Sequence, residues 1–324
     1  AARATWGGIF LNDLDGVTAG DVAVTVQKAG AASVTTDPAI GDLRTTAGNG
    51  GIVLKAGGDV LLTAGAGAAD GAISANGSGG VRIETTGTGK ITAAAGADIA
   101  SGTGNIVLNG AGDVLAGKVA TQGQANVSSQ LGTAFITQPV VAQGKDVELV
   151  GNVIDIGAPI ASAGGTLTIR PAGPARDIVV GDASLATAYP DALYVGNGAI
   201  GALVPGFQAI TIGSGAADEI IRVSGVTNPV KFADPLVLNA TGAGSQVVLQ
   251  GTVSAGALTV LGSGAGTTAS AATLQVQGAV DVNDRFLVDG AVQVAAGLGG
   301  KPGDITFRGA VDAVAGGAAD SLVL

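Results

Sequence analysis

Residues 48–115 read GNGGIVLKAGGDVLLTAGAGAADGAISANGSGGVRIETTGTGKITAAAGADIASGTGNIVLNGAGDVL. Short apolar runs, Ile52-Val53-Leu54, Val60-Leu61-Leu62, Val81-Arg82-Ile83, Ile106-Val107-Leu108 and Val114-Leu115, alternate with turns of Gly, Ala, Asn, Asp, Ser and Thr. Self-similarity of this kind marks a solenoid. The same rhythm runs outward in both directions. Asp21-Val22-Ala23-Val24-Thr25-Val26 alternates with period two, a strand signal, and Val147-Glu148-Leu149-Val150, Leu167-Thr168-Ile169, Ile210-Thr211-Ile212 and Gln246-Val247-Val248-Leu249 carry it on. Glycine is too dense for apolar residues to hold helical spacing over ten or more positions.

Gly-Asp-Val recurs at 20–22, 58–60 and 112–114. Offsets of 38 and 54 fit two and three coils of roughly 18–19 residues. Gly supplies positive φ at such a junction, and Asp caps its own turn. The reading is therefore all-β: a parallel β-helix, or β-solenoid, of many short-stranded coils, about 17 in all. One solenoid domain is expected over 1–324, as a fragment or subunit of a longer rod. The chain stops on the strand-like Leu322-Val323-Leu324 with no polar capping segment. Residues 119–135 carry few large apolar side chains and read as an irregular coil or loop. Residues 170–208 hold Pro171, Pro174, Pro190 and Pro205 with both tyrosines. They read as an inserted loop region, with a short helix at Ser184-Leu185-Ala186-Thr187-Ala188.

Composition restricts the core and the partners. The 324 residues include 57 Gly, 3% aromatic and 12% charged residues, so a thick core of large side chains is unavailable and a thin, closely stacked one is not. A mean hydropathy of +0.50 opposes disorder. The net charge of −10 opposes nucleic-acid binding through a basic face. Without Cys there is no disulfide framework or thiolate site, and without His the commonest general base and zinc ligand are missing. Zero Cys also suits a chain exported unfolded through an oxidising periplasm. The uncharged run 192–217 contains Gly196, Gly198, Gly201, Pro205 and Gly206, a poor spanning helix.

Candidate sites are few. Gly87-Thr88-Gly89-Lys90 and Gly297-Leu298-Gly299-Gly300-Lys301-Pro302 lack the spacing and following helix of a phosphate loop, and read as ordinary turns. Asn12, Asp13 and Asp15 crowd one turn, and Asn283 and Asp284 another, but a hard cation wants six or more oxygens. Turn capping is the expectation, with no metal and no cofactor. A glycosidase needs two close carboxylates. The densest acid-base clusters, Asp218-Glu219 with Arg222, and Asp281, Asp284 and Asp289 with Arg285, read instead as solvated turns or surface ion pairs. No catalytic residue is assigned and an enzyme is not expected. Tyr189, Tyr194 and Phe207 form an aromatic cluster by the insertion. They are the candidate ligand or partner contact, with packing of the insertion as the favoured role. Trp6 is expected to plug an end.

Two passages carry a resemblance. Phe207-Gln208-Ala209-Ile210-Thr211-Ile212-Gly213 with Val230-Lys231-Phe232-Ala233-Asp234-Pro235-Leu236-Val237-Leu238 is one; Gly303-Asp304-Ile305-Thr306-Phe307-Arg308-Gly309-Ala310-Val311 with Ser321-Leu322-Val323-Leu324 is the other. They resemble the repeat region of filamentous haemagglutinin-type adhesins, bacterial exoproteins mostly exported by two-partner secretion. The resemblance implies a right-handed parallel β-helix at the bacterial cell surface. It also implies a role in adhesion, aggregation or matrix. The expected partners are host or neighbouring-cell surfaces or glycans, copies of the chain end to end, and an outer-membrane transporter during export. The family's secretion motif, Asn-Pro-Asn-Leu, has only Asn228-Pro229-Val230 as a counterpart here. The alternative reading is a carbohydrate-active parallel β-helix enzyme, a polysaccharide lyase or hydrolase.

Overall fold

The structure, a computed structural model, describes residues 1–23, 25–27, 29–30, 34–36, 41–64, 71–173, 176–315 and 320–324. Val24, Pro174 and residues 65–70 of the repeat quoted above lie outside the described residues. The chain divides into two compact units, Ala1–Lys145 and Asp146–Leu324. Each is a parallel β-helix whose strands pair with their counterparts in the next coil.

The first unit has three faces. One stacks Ile9–Asp13, Ile52–Ala56, Val81–Thr85, Ile106–Gly110 and Ala125–Ser129 in that order. The second stacks Val17–Ala19, Val60–Leu62, Ile91–Ala93, Val114–Ala116 and Thr133–Ile136. The third stacks Ala2–Ala4, Leu43–Thr45, Ile73–Ala75, Ile99–Ser101, Val119–Thr121 and Val140–Ala142. Alternation along each strand sends every second side chain inward. Ile52 and Leu54, Ile83, and Ile106 and Leu108 are wholly buried, in aligned columns one coil apart. The one antiparallel pair among the described strands is Thr25–Gln27 with Val34–Thr36, where the period-two run after Asp21 leaves the coil.

Two expectations are corrected here. Residues 119–135 are regular: three strands, each in register with its neighbour. Ala125, Val127 and Ala134 are buried there, since the coil is narrow enough for small residues to fill it. Coil length is not constant either. On the first face the steps from Ile9 through Ile52, Val81 and Ile106 to Ala125 are 43, 29, 25 and 19 residues. Val60 pairs with Ile91 and Ile91 with Val114, so the 54-residue offset covers two coils, not three.

In the second unit one face stacks Val147–Val150, Thr166–Arg170, Ala209–Ile212, Leu236–Asn239, Leu258–Leu261, Val280–Asn283 and Ile305–Phe307. A second runs Leu193–Gly196, Ile178–Gly181, Ile220–Lys231, Gln246–Ala255, Thr267–Val276, Phe286–Asp289 and Val311–Ala313, and Thr267–Val276 also pairs with Ala291–Ala295, which carries on to Ser321–Val323. Its longest strands are interrupted by register shifts, one between Gln250 and Gly251. Gly251 has φ +63° there and Ala271 has φ +44° in the neighbouring strand, a conformation that suits glycine. A Cβ on Gly251 would overlap the Gly225 carbonyl.

The step from Leu167 to Ile210 takes 43 residues, against 20 from Val147 to Leu167 and 26 from Ile210 to Leu236. The excess is the 170–208 insertion. It contains helices Ala183–Ala188 and Asn197–Gly201 and the extra strand Leu193–Gly196. No helix among the described residues is long and apolar enough to cross a membrane.

Candidate functional site

The insertion covers one outward sheet face and leaves a cleft beside it. Ile178–Gly181 is buried at all four positions, so even its outward residue Val179 is shielded. Tyr194, Val179 and Arg222 stand in register across the three strands. The chain then turns out of helix Ala183–Ala188 at Tyr189, whose ring lies 4.3 Å from the Arg222 guanidinium carbon. Arg222 also pairs with Asp177 at 3.1 Å, both partners being largely shielded. The other oxygen of Asp177 accepts a hydrogen bond from the Ile220 N–H at 3.1 Å. Beside this stack lies a cleft of about 500 Å³, lined by Arg176, Asp177, Tyr189, Pro190 and Asp191 with the flanking Ala188 and Ala192.

The three aromatic residues singled out in the sequence do not act together. Tyr189 lines the cleft. Tyr194 donates its hydroxyl to the Gly181 carbonyl at 3.1 Å. Burial, and then the Asp182 charge, raise its pKa. Phe207 is 3% exposed, and its backbone N–H donates to Asp234 at 3.1 Å. It is a core residue. Trp6, expected to plug an end, is 78% exposed.

Several acidic residues are spent on the coil stack. Just before the second face, the Lys90 N–H donates to Asp59 at 2.8 Å and the Thr133 N–H to Asp113 at 3.0 Å. Lys90 also forms an ion pair with Asp113 at 2.7 Å. Its side-chain hydrogen bond to Asp113 raises the lysine pKa, and the same contact with the Thr133 N–H lowers that of Asp113. Asn49 accepts from the Ser78 N–H at 3.1 Å, and Asn105 from Gln124 at 2.9 Å. Asp146 accepts from both the N–H and the hydroxyl of Thr166 in the second unit. The corner carboxylates thus cap a neighbouring coil. Asp13, which accepts from the Asp15 N–H at 2.8 Å, shows the expected cap of its own turn.

Both acid-base clusters come apart, Glu219 into its own turn and Asp284 toward an adjacent coil. Glu219 is wholly buried and accepts from the Ser214 hydroxyl at 2.6 Å and the Ser214 N–H at 3.0 Å. Burial raises its pKa against those hydrogen bonds. Asp281 pairs with Arg308 at 2.7 Å, Asp289 accepts from Ser270 at 2.7 Å, and Arg285 pairs with Asp312 at 2.9 Å. Asp284 is buried and accepts from the Gly264 N–H at 3.0 Å.

One carboxylate went unnoticed in the sequence. Asp182, just before the inserted helix, is 3% exposed and accepts from Ser224, Thr227 and Asn228 at 2.9–3.0 Å. Desolvation would raise its pKa, but the backbone N–H groups of Thr227 and Asn228 and the Ser224 hydroxyl prevail and lower it. No group of three or more His, Cys, Asp or Glu side chains able to hold a metal is found among the described residues.

No family model, curated protein or solved structure matches this chain. The site therefore rests on its own geometry. What that geometry offers is a polar cleft beside a sheet, with one stacked aromatic ring and the Asp177 carboxylate held in place.

Proposed function

We propose that the chain is a structural and adhesive module of an extracellular rod or filament at the bacterial cell surface, of the filamentous haemagglutinin type. The observation that carries this reading is how the acids are used. Asp59, Asp113, Asp146, Asp177 and Asp284 give their oxygens to the backbone N–H groups of neighbouring coils. Side chains that could do acid-base work in a lyase or hydrolase instead hold the stack in register. Stacked coils built this way make a stiff support for exposed surfaces that bind other molecules.

The test is made on the native protein in the cell that produces it. Intact cells treated with protease lose the protein, and immunogold negative-stain images show label along fibres or stalks outside the envelope. Protein that survives the protease and is labelled only as compact particles inside the cell would refute the reading.

A further inference from the structure

We propose that the cleft beside Tyr189 is a binding site for a short neutral saccharide. For its purpose the proposal rests on the adhesive reading above. The cleft takes extra chain to build. The coil that forms it uses 43 residues where its neighbours use 20 and 26. The extra chain shields Val179 and then, rather than closing over the rest of the sheet, leaves an open volume of about 500 Å³. That lies inside the roughly 300–1,000 Å³ range of small-molecule sites.

The lining suits a sugar. Tyr189 and Pro190 offer ring surfaces against which the C–H face of a pyranose can lie. Asp177 and Asp191 provide acceptors for paired hydroxyls, and Arg176 provides donors. Each Asp177 oxygen keeps a second lone pair after accepting from Ile220 or Arg222. Arg176 donates to the Asn152 carbonyl at 3.1 Å, which holds its guanidinium in place. Tyr189 is likewise held by Arg222, so little side-chain freedom is lost on binding.

Charge selects against polyanions. Arg176 and Arg222 are balanced by Asp177 and Asp191, and Arg222 is already paired. An exposed carboxylate at the rim, Asp191, repels sulfate and carboxylate groups. The site therefore favours an uncharged ligand whose hydroxyls and C–H faces do the binding.

The experiment is saturation-transfer NMR on the full chain with methyl α-mannoside, methyl β-galactoside, N-acetylglucosamine, lactose and maltose, and heparin as the polyanionic contrast. At least one neutral sugar receives saturation, and added salt leaves the signal unchanged. Tyr189→Ala weakens that binding roughly tenfold, the size of a lost ring contact. Asp191→Asn, an exposed change that leaves the fold intact by circular dichroism, also weakens it. The proposal is overturned if no sugar receives saturation, if binding is undiminished in both variants, or if only heparin binds. If Tyr189→Ala does not fold, Asp191→Asn decides. Failure here with surface fibres still present removes the site and leaves the adhesive reading standing.

Discussion

Glu219 and Asp182 are both buried carboxylates, and they respond to pH with opposite signs. The pKa of Glu219 is raised above the ordinary 4.5, so its folded form holds a proton that the unfolded chain releases. Its contribution to stability is complete below 4.5 and is lost as pH rises through the window up to the raised value. Glu219→Gln keeps an acceptor for Ser214 and removes the titration. Urea melts across pH should show the variant gaining on the parent as pH rises; a constant difference would show that burial does not control this group. Asp182 is depressed below the ordinary 3.8, so its contribution is present above 3.8 and is lost as pH falls through the depressed value. Asp182→Asn keeps one acceptor oxygen and turns an amide donor toward the N–H of either Thr227 or Asn228, which bond to different oxygens of the carboxylate. It should cost about 1–3 kcal/mol at neutral pH, with the loss shrinking in acid. The environment of Asp182 was not legible in the sequence. Ser224 and Thr227 lie more than forty residues from Asp182, and the insertion between them hides the pairing. Phe207 shows the same gap from the other side: an aromatic in a Pro-rich loop gives no sign of whether the loop folds its ring inward.

At the scale of the strand and its corner, the inward columns were legible because alternation is local. Ile52, Leu54, Ile83, Ile106 and Leu108 all point where the period-two pattern puts them. The corners were only half legible. Gly-Asp marks a turn, but the coil that the Asp caps depends on the length of the intervening coil, and those lengths vary from 19 to 43 residues in the first unit. Threonine carries corners of a second kind. Buried Thr121 donates to the Gly104 carbonyl at 2.6 Å and accepts from the Gly123 N–H at 2.8 Å. Thr121→Val keeps the shape and leaves both backbone groups unmet, which should cost about 1–3 kcal/mol in a denaturant titration. Gly251→Ala should cost more, because left-handed backbone adds about 1–2 kcal/mol to the overlap with Gly225. Equal stability of the alanine variant would mean that the bend is not held in place by this residue.

On the scale of a whole unit, a stack of coils gains stability level by level, and each level depends on its neighbours. The 19-residue coil from Ile106 to Gln124 can therefore be removed without breaking register. Ala125 would then lie on Val81, Ala134 on Ile91 and Val140 on Ile99, each the partner of the strand taken away. The shortened chain should keep its β-type circular dichroism and a cooperative melt at a modestly lower midpoint. Aggregation or a featureless melt would show that the level is not a separable unit. That the chain is a stack was readable from its repeats. Where one level ends and the next begins was not, since additions such as the antiparallel pair of Thr25–Gln27 with Val34–Thr36 and the 170–208 insertion change the count without changing the strands.

In the first unit the capping contacts of Asn49, Asp59, Asn105 and Asp113 all run one way: the acceptor belongs to the earlier coil and the N–H to the later one. This gives the stack a polarity. A cut between two coils leaves unmet side-chain oxygens on the earlier piece and unmet backbone N–H groups on the later one, so the two broken ends differ in chemistry.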